Sequence, residues 1–285
     1  MDALSRTIMT LSCRDCDAIP KVDGAGRIVE EADERVQIMH NGLRVVAGGY
    51  HGDWMAQVIR GLRGHHEPQE ELAFHALLRF VRHGSLVVEL GAFWSYYAMW
   101  YLNEVPGSRA LCVEPDPHND RIGRRNCTLN AMDERMTRFS AWVGGEAQDR
   151  VTMTGETTGE PVTLPMIDMA ALGELVDGAF IELLHVDAQG AETPFLRSMD
   201  AAMSERVRFL VVSTHHPSIS GSPSTHGDCV EAVRERGGHV LLEHDVEESF
   251  SGDGLLVASF LAQDRAIVLP PVSRNRAADS LFGRR

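Results

Sequence analysis

Two carboxylates and a glycine carry the first chemical signal in this chain. In Leu86-Val87-Val88-Glu89-Leu90-Gly91-Ala92-Phe93-Trp94-Ser95 an apolar, β-branched run ends in an acid and a glycine. It then passes into an apolar stretch from Trp94 to Asn103 with the length of a helix, so the segment reads as strand, tight turn, helix. A second run, Leu111-Cys112-Val113, ends in Glu114-Pro115-Asp116, with Glu114 standing 23 residues after Gly91. At that separation a nucleotide-binding fold places an acid that accepts hydrogen bonds from ribose hydroxyls. Glu89, Gly91, Ala92, Glu114, Pro115 and Asp116 are therefore candidate ligand-binding residues.

A dinucleotide fold needs three glycines, because a pyrophosphate lies against bare backbone at a helix N-terminus. This turn has one, and Phe93, Trp94 and Tyr96 put bulk where phosphate would need access. Ribose and adenine without phosphate is the chemistry that remains, and S-adenosylmethionine fits it. The bland alternative is a strand-turn-helix that binds nothing.

Parallel sheets bind ligands beyond the carboxyl ends of their strands. The other strand ends offer Ser140 and Ala141, Asp187, His215 and His216, and Glu243 and His244. Asp187 ends Ile181-Glu182-Leu183-Leu184-His185-Val186-Asp187 and precedes a glycine turn. A carboxylate there can hold an amino group, stabilise a sulfonium or orient an acceptor hydroxyl. It can equally cap the following helix, whose first turn claims Glu192. His215 and His216 close another buried strand, and an imidazole titrating near neutrality is suited to take a hydroxyl proton. Neighbours on a strand point to opposite faces, so one of the two at most meets a substrate. Asp187, His215, Glu243 and His244 would hold a divalent metal only if their strand ends converged, and no local ligand spacing supports one, so none is expected. His51-Gly52-Asp53-Trp54 and His65-His66-Glu67-Pro68 precede the first of these strands, from where they can fold over a ligand as a lid.

The elements that must position these groups follow from the alternation of patterns. Strands are expected near Leu86, Ala110, Met136, Ile181, Val207, Val240 and Leu255, with helices near Trp94, His118, Ala191 and Asp228. Such alternation makes a mostly parallel sheet with helices on both faces. The last two strands are joined by about a dozen residues, too few for a helical crossover, and should be antiparallel neighbours. A helix from Glu67 to Arg82 leads into the sheet, and short strands are expected at Val36 to Met39 and Leu43 to Ala47. The expected organisation is an N-terminal cap or lid over residues 1–70, a ligand-binding catalytic domain over 71–265 and a loose tail over 266–285 carrying Arg274, Arg276, Arg284 and Arg285.

The 285 residues suffice for one large α/β domain, and the net charge of −14 argues against a nucleic-acid or anionic-membrane partner. Neutral or cationic small molecules suit it better. No apolar run approaches ~20 residues, so no membrane span is expected. Five cysteines without a leader pattern point to a reduced, cytoplasmic setting. Cys13-x-x-Cys16 lacks the second pair that a zinc site requires and reads as two free thiols.

Taken in order, these motifs resemble the FkbM-type family of S-adenosylmethionine-dependent methyltransferases. The resemblance runs from about Glu67 to Phe260, through Val88-Glu89-Leu90-Gly91-Ala92, Val113-Glu114-Pro115-Asp116-Pro117, Asn126-x-x-Leu129-Asn130 and His185-Val186-Asp187-Ala188-Gln189-Gly190-Ala191-Glu192. It implies a Rossmann-like class I methyltransferase fold, a seven-stranded, mostly parallel sheet with an antiparallel last strand. It also implies methyl transfer to a hydroxyl of a sugar, glycan or secondary metabolite, with Glu89 and Gly91 in the first cofactor motif, Glu114 on the ribose and Asp187 after its strand. Where the family commonly has Asp-x-Gly-Ala-Asn-x-Gly, Phe93 and Ser95 replace the Asn and the second Gly. Two rivals follow from the altered turn: a catalytically silent cofactor-binding scaffold of the same fold and, less favoured, a nicotinamide-dependent oxidoreductase. The acceptor's identity and the oligomeric state belong to loops and surfaces that no motif describes.

Overall fold

The computed structural model describes residues 3–31 and 33–276. The N-terminal segment holds α1 (Ala3–Ser12), a small antiparallel sheet of β1 (Ile28–Glu31), β2 (Glu34–Ile38) and β3 (Arg44–Val46), then α2 (Asp53–Gly61) and α3 (Pro68–Leu77). Alternating units follow: β4 (Leu86–Leu90), α4 (Tyr96–Glu104), β5 (Arg109–Val113), α5 (Pro117–Leu129) and β6 (Met136–Phe139). After an inserted sheet of β7 (Trp142–Val143), β8 (Gln148–Thr154) and β9 (Pro161–Ile167) come α6 (Met169–Leu175), β10 (Ile181–Val186), α7 (Glu192–Arg197), α8 (Ala201–Ser204) and β11 (Val207–Thr214). The chain closes with α9 (Pro217–Ser220), α10 (Thr225–Glu235), β12 (His239–His244) and β13 (Gly254–Ser259).

The central sheet has seven strands in the order β12-β13-β11-β10-β4-β5-β6. Five neighbouring strands run parallel, and β13 enters antiparallel to both β11 and β12. This is the expected seven-stranded α/β sheet with a reversed final strand. The reversal has the anticipated cause, since the Ser249 to Asp253 link cannot carry a crossover helix.

The central strands read as continuous apolar runs because both of their faces are covered. Val87, Leu183, Phe209 and Val211 face one cluster with α3, α4 and the N-terminal segment, including Cys16, Met39 and Val58. Val88, Leu184, Leu210 and Val212 face the other, with α6, α7 and α10. Side chains two apart along a strand share a face, which places Glu89 and His185 on the α3–α4 side. All five cysteines are buried and free, and burial pushes Cys13 and Cys16 up to about 12.

The tail expectation is corrected over the described residues. Ser273 bonds Asp15, Asn275 bonds Ser249, and Arg274 reaches Glu248 and the Glu243 carbonyl, so this stretch is pinned between the N-terminal segment and the β12–β13 link. Arg284 and Arg285 lie outside the described residues. No helix among the described residues is long and apolar enough to cross a membrane.

Candidate active site

A cavity of about 510 Å³ opens at the carboxyl ends of β4, β5 and β10. That is the edge at which parallel sheets receive ligands, and the size is that of a small-molecule site. It runs from a buried end at His66, Glu67, Glu89, Tyr97 and His185 to a mouth with exposed Met153 and Ile219.

Gly91 makes the sharp exit from β4 with φ at 73°. Phe93 and Ser95 follow with φ at 37° and 62°, a left-handed backbone that L side chains adopt at a cost. A bracket behind the turn holds it. Arg138 of β6 donates to the Ser95 hydroxyl and, at 3.4 Å, to the Phe93 carbonyl, while its Nε lies 2.7 Å from Asp120 of α5. Phe93 and Ser95 are thereby held in a left-handed turn without a glycine at either position. Sequence reasoning missed Arg138, which lies 43 positions from Ser95.

Glu89 accepts a hydrogen bond from the Ala98 amide at 3.0 Å, so it caps the first turn of α4. Burial pushes its carboxyl up to about 7, against the opposing charge of His185. Glu114 is 4% exposed, and its two oxygens each accept one backbone amide, from Phe93 and from Asp116, at 2.8 Å. Burial pushes it up to about 8, against those two amides. Beyond those two amides the carboxyl keeps hydrogen-bonding capacity on each oxygen, accepting when ionised and donating from one oxygen when protonated. Asp116 also borders the cavity but is committed: one oxygen caps α5 through His118 and the other takes the amides of Thr157 and Thr158.

The structure separates the two adjacent histidines. His215 is buried, with Nε2 3.1 Å from Asp187 and Nδ1 2.9 Å from Glu192. Burial opposes its charge, but the two carboxylates prevail and hold the ring well above its ordinary pKa. An imidazolium that donates from both nitrogens has no lone pair, so the expectation of His215 as base is corrected. His216 is exposed and turns to Ser218 at the start of α9, away from the cavity, so it too is corrected as a base. Asp187 lines the cavity and stays ionised: burial works against its charge, and His215 outweighs it. Glu192 accepts the amides of Ala188 and Gly190 and so folds the loop after β10.

Of the four residues considered for a metal, Glu243 and His244 turn to other partners than Asp187 and His215. Glu243 pairs with His226, and His244 bonds the Asp245 carbonyl. Asp187, Glu192 and His215 come together, each offering a ligand atom within 4.8 Å of the others, and in this arrangement the imidazole bonds each acid with a different nitrogen.

Ser140 is exposed and Ala141 is packed in the apolar core, and neither lines the cavity. Trp142 to Gly145 do, together with Met153, Thr154 and Met166 of the inserted sheet. The signal for that sheet was two alternating runs around Gly155 and Gly159, a hairpin pattern. The N-terminal segment adds Tyr50, His51, His66 and Glu67. Tyr50 stacks on Trp94 at 4.6 Å between ring centroids with an interplanar angle of 2°, giving an aromatic wall beside the Gly91 turn.

No family model matches the chain, and no curated protein matches it. Among solved structures it is similar to an O-methyltransferase from Bacillus cereus in complex with SAH, at 13% identity over 67% of this chain and 79% of that one, with a TM-score of 0.44. It is also similar to a precorrin-6y C5,15-methyltransferase from Geobacter metallireducens, at 13% identity over 66% of this chain and 85% of that one, with a TM-score of 0.44. These likenesses concern the fold alone.

Proposed function

We propose that this protein is an S-adenosylmethionine-dependent O-methyltransferase acting on a hydroxyl of a sugar, glycan or secondary metabolite. The observation that carries the reading is Glu114. Its two oxygens, each with hydrogen-bonding capacity left, stand at the wall of a cavity bordered by six acidic residues, by His66 and His185 and, among the described residues, by no Lys or Arg. Carboxyl oxygens there fit the hydroxyls of a ribose diol better than a pyrophosphate, which needs donors.

In this reading Glu114 binds the ribose hydroxyls, and the Gly91 turn carries the ligand across the end of β4. Asp187, held ionised by His215, faces the amino group or the sulfonium. Trp142, Val143 and Met166 enclose the adenine. When bound, the cofactor supplies an electrophilic methyl group on a cationic sulfur. Most of the acceleration then falls to the chain's own task of holding the acceptor oxygen close and in line, with water kept out. The resemblance through Glu89, Glu114 and Asp187 favours oxygen as the acceptor atom, and the net charge of −14 suits a neutral or cationic substrate better than an anionic one. The aromatic wall of Tyr50, Phe93 and Trp94 gives a cation an additional favourable surface.

Calorimetric titration with S-adenosylhomocysteine tests the reading. The wild-type protein should bind it, and Glu114→Ala should abolish measurable binding. Unchanged affinity in Glu114→Ala would sink the ribose assignment, and tight binding of a reduced nicotinamide dinucleotide instead would replace the cofactor.

A further inference from the structure

The histidines around the cavity differ in what their ring nitrogens are committed to. His215 gives both to carboxylates. His66 lies 3.2 Å from Glu67 and 2.7 Å from Glu71, and His185 places Nε2 2.6 Å from Glu70. Burial opposes charge on both, but these carboxylates push His66 up to about 10 and His185 up to about 9. All three rings lie against carboxylates that favour their charged form, which makes them poor proton acceptors.

His51 is built differently. It lines the cavity, and among the described residues no ion pair engages it. Its ring neighbours are aromatic: Tyr50 at 4.4 Å, Phe93 at 5.3 Å and Trp54 at 6.1 Å between centroids. Burial, and then the positive charge of Arg6, push it down to about 4, so its ring is neutral and keeps a lone pair. Its backbone is left-handed, with φ at 49°, and Gly52 follows with φ at 81° just before α2. A non-glycine residue held in that region at a cavity wall is a local cost that the surrounding packing must sustain. Here Tyr50, clamped on Trp94, sets the position from which the His51 ring reaches the cavity.

We infer that His51 is the catalytic base of the methyl transfer, accepting the proton of the substrate hydroxyl on a ring nitrogen. The inference rests on the methyltransferase reading above. As the O–C bond forms and the S–C bond breaks, the hydroxyl proton passes to His51, leaving a methyl ether, a neutral thioether and an imidazolium. One positive charge thus leaves sulfur and one appears on His51. The charged groups that face His51 are Arg6 on α1, His66 and Glu67 ahead of α3, and Asp187 after β10. The same Asp187 and Glu67 carboxylates that favour a sulfonium therefore favour the imidazolium that replaces it. A weak base suffices, because the acceptor oxygen becomes strongly acidic as the methyl group arrives.

The test has an arm that needs no acceptor. In protein labelled with ¹⁵N-histidine and saturated with S-adenosylhomocysteine, long-range ¹H–¹⁵N spectra should show the His51 ring, assigned by its loss in His51→Gln, neutral from about pH 8 to below the ordinary histidine range. Arg6→Gln should move its titration upward. A charged His51 at neutral pH overturns the proposal. In the second arm, tritiated methyl transfer from S-adenosylmethionine to a hydroxyl-rich small-molecule extract should fall about 10²- to 10⁴-fold in His51→Gln, while calorimetric affinity for S-adenosylhomocysteine stays within about threefold. Wild-type turnover in that variant overturns His51 as the base and leaves the methyltransferase reading standing. Failure of the wild-type protein to label any component overturns both.

Discussion

Gly91 and Asp187 meet backbone to backbone: a β-carbon on Gly91 would stand 1.6 Å from the Asp187 carbonyl oxygen. The Asp187 amide in turn donates to the Leu90 carbonyl at 2.9 Å. The turn after β4 and the acid of the neighbouring strand are thereby one rigid unit, held at a spacing that only glycine permits.

Gly91→Ala combines a positive φ with a backbone clash that no side chain can relieve. It should destabilise the fold by more than about 3 kcal/mol in urea denaturation and abolish S-adenosylhomocysteine binding. A variant that melts like wild type would show that the two strand ends can move apart.

Ser95 tests whether a side chain in the left-handed turn after Gly91 matters. Ser95→Gly relieves about 1 kcal/mol of left-handed strain and gives up a hydrogen bond to Arg138 worth about as much. Stability within about 1 kcal/mol of wild type is expected, with cofactor affinity nearly unchanged. Ser95→Val, β-branched and unable to bond Arg138, should be clearly less stable; equal melting of the two variants would remove Arg138 as the clamp.

The two adjacent histidines should behave oppositely. His215→Gln leaves Asp187 and Glu192 without their shared cation, and a loss of about 3–5 kcal/mol is expected, with weaker cofactor binding. His216→Ala, at an exposed helix start, should lie within about 1 kcal/mol of wild type. Comparable losses for both would contradict the separation of their roles.

The buried ion pairs also set the pH response. His66 and His185 have pKa values raised from 6.5 to about 10 and about 9, so the stability they contribute is fully present below pH 6.5 and is lost as pH rises through 9 to 10. Glu89 and Glu114, raised from 4.5 to about 7 and about 8, act with the same sign: the fold prefers them neutral, and that preference is lost as pH rises through 7 to 8. The melting temperature of the ligand-free protein should therefore fall from about pH 7 to pH 10. A flat profile over that range would mean these groups are not held as described.

Much of the framework was legible in the sequence because its signals are local. Val87 to Leu90 and Leu183 to Val186 announce buried strands by composition, Gly91 announces a turn, and the short Ser249 to Asp253 link dictates the reversed last strand. Glu89, Glu114 and Asp187 could be placed at one sheet edge for the same reason, since a parallel alternation brings successive strand ends together. The chemistry within the site was not local. His215 and His216 are equivalent as sequence, yet the fold buries one between Asp187 and Glu192 and leaves the other in solvent. The inserted β7–β9 sheet, not Ser140 and Ala141, builds the wall beside β5. Arg138, 43 positions away, braces Ser95. A side chain's type and its neighbours along the chain determine which proton it can carry; burial and long-range carboxylate partners, which only packing supplies, decide whether it carries one, and here they favour the neutral ring at His51 and the charged ring at His66, His185 and His215.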